Sequence, residues 1–160
     1  MLCDWSRVIV CDMKQNTEQH IYITCGDYCN AYYKDRVSVC SVPFNEAFVQ
    51  GNPKPPLFTK EFIKERCKVL ETTEEIYRRK LKGVFDFMKR CNDFTEVTLV
   101  FGQDDFCQYN LRGALWMLQQ IKYTGKTNIL YIDEKTYAPL KEATDIDLAT
   151  EIHNLDTILK

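Results

Sequence analysis

Imidazoles are scarce in this chain: His20 and His153 are the only two in 160 residues. The eight cysteines, at positions 3, 11, 25, 29, 40, 67, 91 and 107, include no CxxC pair. A structural zinc site draws on closely spaced Cys and His ligands, so a metal held by thiolates is not expected. The same spacing, with no stretch resembling a cleavable signal peptide, argues against a secreted disulfide scaffold and for reduced thiols in the cytoplasm. Apolar runs fall far short of the roughly 20 residues that span a bilayer, so no membrane segment is expected. A formal charge of −2 removes the electrostatic case for a polyanion partner taken over the whole chain, and nucleic acid is not expected as a partner. No internal repeat and no low-complexity tract is found.

With 45% hydrophobic and 28% charged residues, the chain suits one globular domain around one core. Charge is uneven: residues 59–92 hold ten Lys and Arg against six Asp and Glu, and the remainder eleven against seventeen, or +4 and −6. A solvated helix face accounts for this. More informative are Ile21–Asp27 and Val97–Asp105, where apolar residues run straight into a glycine and then an acid. Each reads as a buried parallel strand ending in a polar turn, the place where open α/β sheets hold ligands.

Along the chain, Arg7–Cys11 is a candidate edge strand, and Met13 a candidate natural start because the first strand begins a few residues later. The strand over 21–25 leads into two helical turns over Tyr28–Lys34, then into a β-branched strand over 36–42. Pro43–Pro56 is a loop long enough to act as a lid or binding loop. Thr59 caps a helix carrying Phe62, Ile63, Cys67 and Leu70, and Thr72 with Glu75 forms a capping box for the next, which carries Tyr77, Leu81, Val84, Phe85 and Met88. A strand over 97–101 follows. Asp104 or Asp105 then caps a helix striped by Cys107, Leu111, Ala114, Leu115, Leu118 and Ile121, which Gly125 ends. A strand over 128–132 and a last helix bearing Ile146, Leu148, Ile152, Leu155 and Ile158 complete the chain. That helix either covers the domain or is the stub of a longer protein.

Gly125-Lys126-Thr127 resembles the end of a phosphate loop, but position 120 is Gln120, a helix precedes the motif and a strand follows it, so it reads as a helix stop. Asp27, Asp104–Asp105 and Asp133–Glu134 all belong at the carboxyl edge, where acids hold Mg²⁺ or act as base or nucleophile, and where they also cap helices. Gln108 and Asn110 place amides in the first turns of an otherwise apolar helix, near the positive end of its dipole, and suit either a bound ligand or the neighbouring loop. Cys107 has no local His partner and reads as a buried thiol.

The Gly26-Asp27 turn, the Ser41–Gly51 segment, the Phe62–Leu70 helix with Arg66, and the run Phe101–Leu111 together resemble a bacterial family catalogued as domain-of-unknown-function family 1835. The resemblance covers about residues 20–134, and its most specific part is FGxDxFCQxN. It implies an α/β domain without assigned activity, often followed by a second domain. It points to Gly26, Asp27, Glu46, Gly51, Arg66, Gly102, Asp104, Cys107, Gln108 and Asn110. The family's first turn usually reads Gly-Asp-Ser, similar to serine esterases, but Tyr28 stands here and offers no serine nucleophile. No Asp-x-x-His pair occurs late in the chain, since Thr150 stands three before His153.

These observations predict a single three-layer α/β domain, Rossmann-like and mostly parallel, with a C-terminal helix over one face. Residues 1–19 form an N-terminal extension, 20–134 the domain, and 135–160 a linker and helix. The leading functional expectation is a module for a nucleotide or another phosphorylated metabolite, held at the strand ends by Asp27, Arg66, Gln108 and Asn110, with Gly26, Glu46, Gly102 and Asp104 nearby. One alternative is a metal-assisted hydrolase or phosphotransferase with Asp27 and Asp104 on Mg²⁺. Another is an interaction or homodimerisation module using Tyr28, Tyr32, Tyr33, Phe44 and Phe48.

Overall fold

The computed structural model describes residues 19–159, so the candidate strand Arg7–Cys11 and candidate start Met13 lie outside the described residues. In chain order the elements are β1 (His20–Thr24), α1 (Asp27–Lys34), β2 (Cys40–Pro43), α2 (Lys60–Val69), α3 (Glu74–Lys80) and α4 (Lys82–Lys89). A 3₁₀ turn over Cys91–Asp93 leads to β3 (Glu96–Phe101), α5 (Asp105–Gln120), β4 (Lys126–Tyr131), β5 (Thr144–Asp145) and α6 (Leu148–Ile158). The sheet order is β2-β1-β3-β4-β5, with the first four strands parallel and β5 antiparallel to β4. This is the three-layer, mostly parallel, Rossmann-like arrangement expected from the sequence.

From β1 the chain moves through α1 to β2 on one side, then returns past β1 to β3 on the other. Right-handed crossovers running in opposite directions place their helices on opposite faces. Thus α1 occupies one face, with Cys29 and Tyr33 on Val100, Leu130 and Ile132. The helices α2 to α6 cover the other, above Ile21, Ile23, Val42, Val97, Leu99, Phe101 and Ile129. Central strands therefore meet apolar layers on both sides, which is why they read as unbroken hydrophobic runs. Within α6, Asp147 caps the first turn, and buried Arg112 of α5 donates to Asp156 at 3.2 Å and to the Leu159 carbonyl at 3.1 Å.

Several boundaries differ from the sequence reading for local reasons. β2 starts at Cys40 because the Arg36 and Val37 N–H groups donate to the Tyr33 carbonyl, extending the α1 turn, while the Arg36 guanidinium lies 3.7 Å over the Tyr32 ring. Thr73, not Thr72, caps α3 by accepting from Ile76 N at 3.2 Å, so the expected box with Glu75 does not form. The helix expected from Tyr77 to Met88 is broken at fully buried Leu81 (φ −102°, ψ 9°). Helix α5 ends at Gln120, and Lys122 rather than Gly125 takes the left-handed turn (φ 55°). The segment expected as a linker after position 134 adds β5 to the sheet edge.

The expected aromatic interaction patch is not formed. Phe44 and Phe48 are core residues, edge-to-face with each other at 5.7 Å, and Phe44 also meets Phe58 and Phe101 at 6.3 Å. Tyr33 is buried, and Tyr32 packs against Tyr33 and Tyr137, leaving Tyr28 alone exposed, at 82%. Aromatic rings gain more from closing a core than from a wet surface. Among the described residues no helix is long and apolar enough to cross a membrane.

The Phe48 ring packs against Gly113 of α5, where an added Cβ would stand 2.2 Å from two of its ring carbons. Alanine is the better helix former by about 1 kcal/mol, yet overpacking costs about 1–3 kcal/mol or more. Gly113→Ala is expected to lower unfolding free energy in urea titration, the clash outweighing the propensity.

Candidate functional site

Strand order reverses between β1 and β3, and in open α/β sheets the crevice beyond the carboxyl ends at such a point receives ligands. Two turns meet there. The first is Gly26, whose φ of 89° and ψ of 176° suit glycine alone. An added Cβ would find open space, with Asn45 Oδ1 the nearest atom at 3.9 Å, so backbone conformation rather than room requires glycine. Gly26 is also the N-cap of α1, and having no side chain it leaves the first-turn N–H groups without a side-chain cap.

Beside this turn opens a cavity of about 320 Å³ between the ends of β1 and β2, α3 and the start of α5. Its walls include Asp27, Asn45, Tyr77, Lys80 and Phe106. Asn45 Nδ2 donates to Asp27 Oδ1 at 2.9 Å and to the Lys80 carbonyl at 3.1 Å, tying the β1 turn to the end of α3. Asp27 and Lys80 are exposed, and among the described residues neither forms an ion pair. Phe106 is 45% exposed, high for a phenylalanine, in the first turn of α5.

Behind the cavity lies a buried polar network. Arg66 donates to both Glu46 oxygens at 2.7 Å, to the Gln50 carbonyl at 2.6 Å and to the Ala47 carbonyl at 3.0 Å. The Tyr77 hydroxyl donates to Glu46 Oε1 at 2.8 Å, and burial together with the Glu46 charge holds that phenol well above its ordinary value. Asn110 Oδ1 accepts from Phe48 N at 2.9 Å while its Nδ2 donates to the Glu46 carbonyl at 2.6 Å. Gln120 treats Leu57 in the same way, at 2.6 and 2.9 Å. Glu46, Arg66 and Asn110 were expected to meet a ligand; instead they are occupied in holding the long loop against α2, α3 and α5, with Glu46 alone of the three reaching the cavity wall.

The second turn, between β3 and α5, is filled by the chain itself. Asp104 Oδ1 caps α5 by accepting from Cys107 N at 2.7 Å. Glu134 Oε1 accepts from Gln103 N at 2.7 Å and Asp104 N at 3.1 Å, occupying the anion-binding position before the helix. Gln108 Nε2 donates to the Gly102 carbonyl at 2.8 Å, closing its own turn. Gly102 packs under Glu134, whose Cγ would lie 2.6 Å from an added Cβ. Of the expected residues, Gly26 and Asp27 line the cavity beside Glu46, whereas Gly102, Asp104, Gln108 and Asn110 serve structural bonds. The pairing of Asp27 with Asp104 on Mg²⁺ loses its second ligand to the helix cap, and no group of three His, Cys, Asp or Glu able to hold a metal occurs among the described residues.

Sequence reasoning missed Asn45, Tyr77, Lys80 and Phe106. Asn45 follows the end of β2 as Asp27 follows the end of β1. Tyr77 and Lys80 both reach the cavity from α3, the helix that ends at the Leu81 break. Comparison with protein-family models, curated proteins and solved structures finds no match to this chain.

Removing one partner of a buried ion pair strands the other, at a cost of about 3–5 kcal/mol. Glu46→Ala and Arg66→Ala are each expected to show losses of that size in urea unfolding, whereas exposed Asp27→Asn should stay within about 0.5 kcal/mol. Glu134 carries a second expectation. Its own N–H and that of Gln103 hold its carboxyl below the ordinary value. A depressed folded value means that its contribution is complete above the ordinary carboxylate range and is lost as pH falls through the folded value. Melting temperature against pH should therefore lose part of its acid-side slope in Glu134→Gln.

Proposed function

We propose that this chain is a binding module for a small phosphorylated metabolite or nucleotide, seated in the cavity beside Gly26 and Asp27. The observation that carries this reading is the coincidence of the 320 Å³ cavity with the first turn of α1, which has no side-chain cap, and with two exposed charges of opposite sign, Asp27 and Lys80, that form no ion pair among the described residues. The α1 N–H groups and Lys80 suit a phosphate. Asp27, oriented by Asn45, suits a sugar hydroxyl, and the Phe106 ring offers an apolar wall. The equivalent anion position on α5 is taken by Glu134, which leaves the β1 turn as the open one of the pair. Six described cysteines carry free thiols, which supports a reducing cytoplasmic setting. Membership of the resembled family belongs to the same proposal, supported by the FGxDxFCQxN run forming the β3 end and first turns of α5.

A panel of nucleotides and sugar phosphates, read by thermal shift and calorimetry, tests the proposal. A true ligand at 100 times its Kd adds about 2.7 kcal/mol of stability. Lys80→Ala and Asp27→Asn are expected to weaken its binding at least tenfold without lowering the ligand-free melting temperature. Loss of stabilisation across the whole panel, or a ligand indifferent to both substitutions, would overturn it.

A further inference from the structure

The hydrogen bonds already made around the cavity fix what its wall can still offer a ligand. Asn45 Nδ2 donates at 2.9 Å to Asp27 Oδ1 and at 3.1 Å to the Lys80 carbonyl. Both amide hydrogens are thereby engaged, and two acceptors around one atom identify that atom as the nitrogen. What Asn45 has left is its oxygen, which lies on the side of the β1 turn, 3.9 Å from the Cβ position of Gly26. Asp27 is exposed, and its Oδ2 has no partner among the described residues. Glu46, the other carboxylate on this wall, is saturated: Oε1 accepts from Arg66 and Tyr77, and Oε2 accepts from Arg66 and the Ala47 N–H. The Tyr77 hydroxyl donates to that carboxylate and is not free to donate elsewhere. Besides Lys80 and the α1 N–H groups, the cavity therefore presents two neighbouring acceptors, a carboxylate oxygen of Asp27 and the amide oxygen of Asn45.

We infer that the phosphorylated ligand of this cavity carries a vicinal diol, as in ribose 5-phosphate and the ribonucleoside 5′-monophosphates, with one hydroxyl donating to Asp27 Oδ2 and its neighbour to Asn45 Oδ1. The inference rests on the reading of the cavity given above and adds the sugar that this reading leaves open. Two adjacent acceptors with no free donor are complementary to two adjacent O–H donors. A second phosphate or a carboxylate placed there would meet Asp27 as a like charge. An apolar group would take water from the two oxygens without returning a hydrogen bond, and a deoxy sugar does this at one of them. Sites that hydrogen-bond a hydroxyl reject the analogue lacking it for this reason, and because Asp27 is open to water the factor here is about tenfold rather than that of a closed site. At about 320 Å³ the cavity stands at the small end of ligand pockets, which suits a pentose phosphate or one nucleotide rather than a dinucleotide.

The test is calorimetric titration of the full chain, in EDTA, with ribose 5-phosphate and adenosine 5′-monophosphate against 2-deoxyribose 5-phosphate and the 2′-deoxy and 3′-deoxy forms of the nucleotide. Expected is binding of the ribose compounds, with each deoxy compound weaker by about tenfold. In Asn45→Ala the loss caused by one of the two nucleotide deletions should shrink to about twofold, since that hydroxyl and Asn45 act as a coupled pair. Equal binding of the deoxy compounds, binding confined to phosphates without a vicinal diol, or binding only when Mg²⁺ replaces EDTA would each overturn this inference and leave the reading of the cavity standing. Failure of every phosphorylated compound would overturn that reading and the inference together. The wild-type comparison decides between these outcomes even if Asn45→Ala fails to fold.

Discussion

The Glu46–Arg66 pair holds a carboxylate and a guanidinium almost wholly out of water, and the loop between β2 and α2 takes its shape from that pair. A buried charge is tolerable only when every donor and acceptor around it is met. Here the bidentate contact is joined by the Tyr77 hydroxyl and by loop carbonyls, so satisfying the pair dictates where the backbone runs. Asn110 and Gln120 then grip the loop from α5 with two-way amide bonds, much as a neighbouring strand would. Asn45, one residue before Glu46, is thereby set against Asp27, and the cavity wall follows from the ion pair behind it.

The two turns at the sheet's carboxyl edge have opposite fates, although both follow a central strand and both open a helix. At α5, Asp104 caps the helix and Glu134 fills the anion position, so the peptide dipoles there are satisfied by the chain's own carboxylates. At α1 the cap is a glycine, and the nearest carboxylate, Asp27, is turned toward Asn45. A closed turn gives rigidity and an open one gives a place for a ligand. That asymmetry directs the functional proposal to one side of the switch point.

Much of the fold was legible because burial on both faces leaves a strong mark. The β1 and β3 runs read as parallel strands, Thr59 and Asp104 were readable as caps, and the apolar stripe of α5 gave its length to within a few residues. The errors share a cause. The start of β2, the break at Leu81 and the end of α5 depend on what each segment packs against, and neither propensity nor periodicity carries that information. The site was half legible for the same reason. An acid after a strand announces Asp27, but polar residues such as Arg66, Asn110 and Gln108 look alike in sequence whether they meet a ligand or a loop carbonyl.

What the sequence determined by itself was the α/β class, the parallel central strands and the position of the two glycine–acid turns, since these follow from periodicity, β-branched composition and backbone freedom at glycine, all local quantities. Only the tertiary structure decided which turn stays open, which polar side chains are consumed in support, and that the phenylalanines of the long loop belong to the core. Each of those outcomes depends on a partner distant in sequence, and hydrogen bonds and desolvation are settled between partners rather than along the chain.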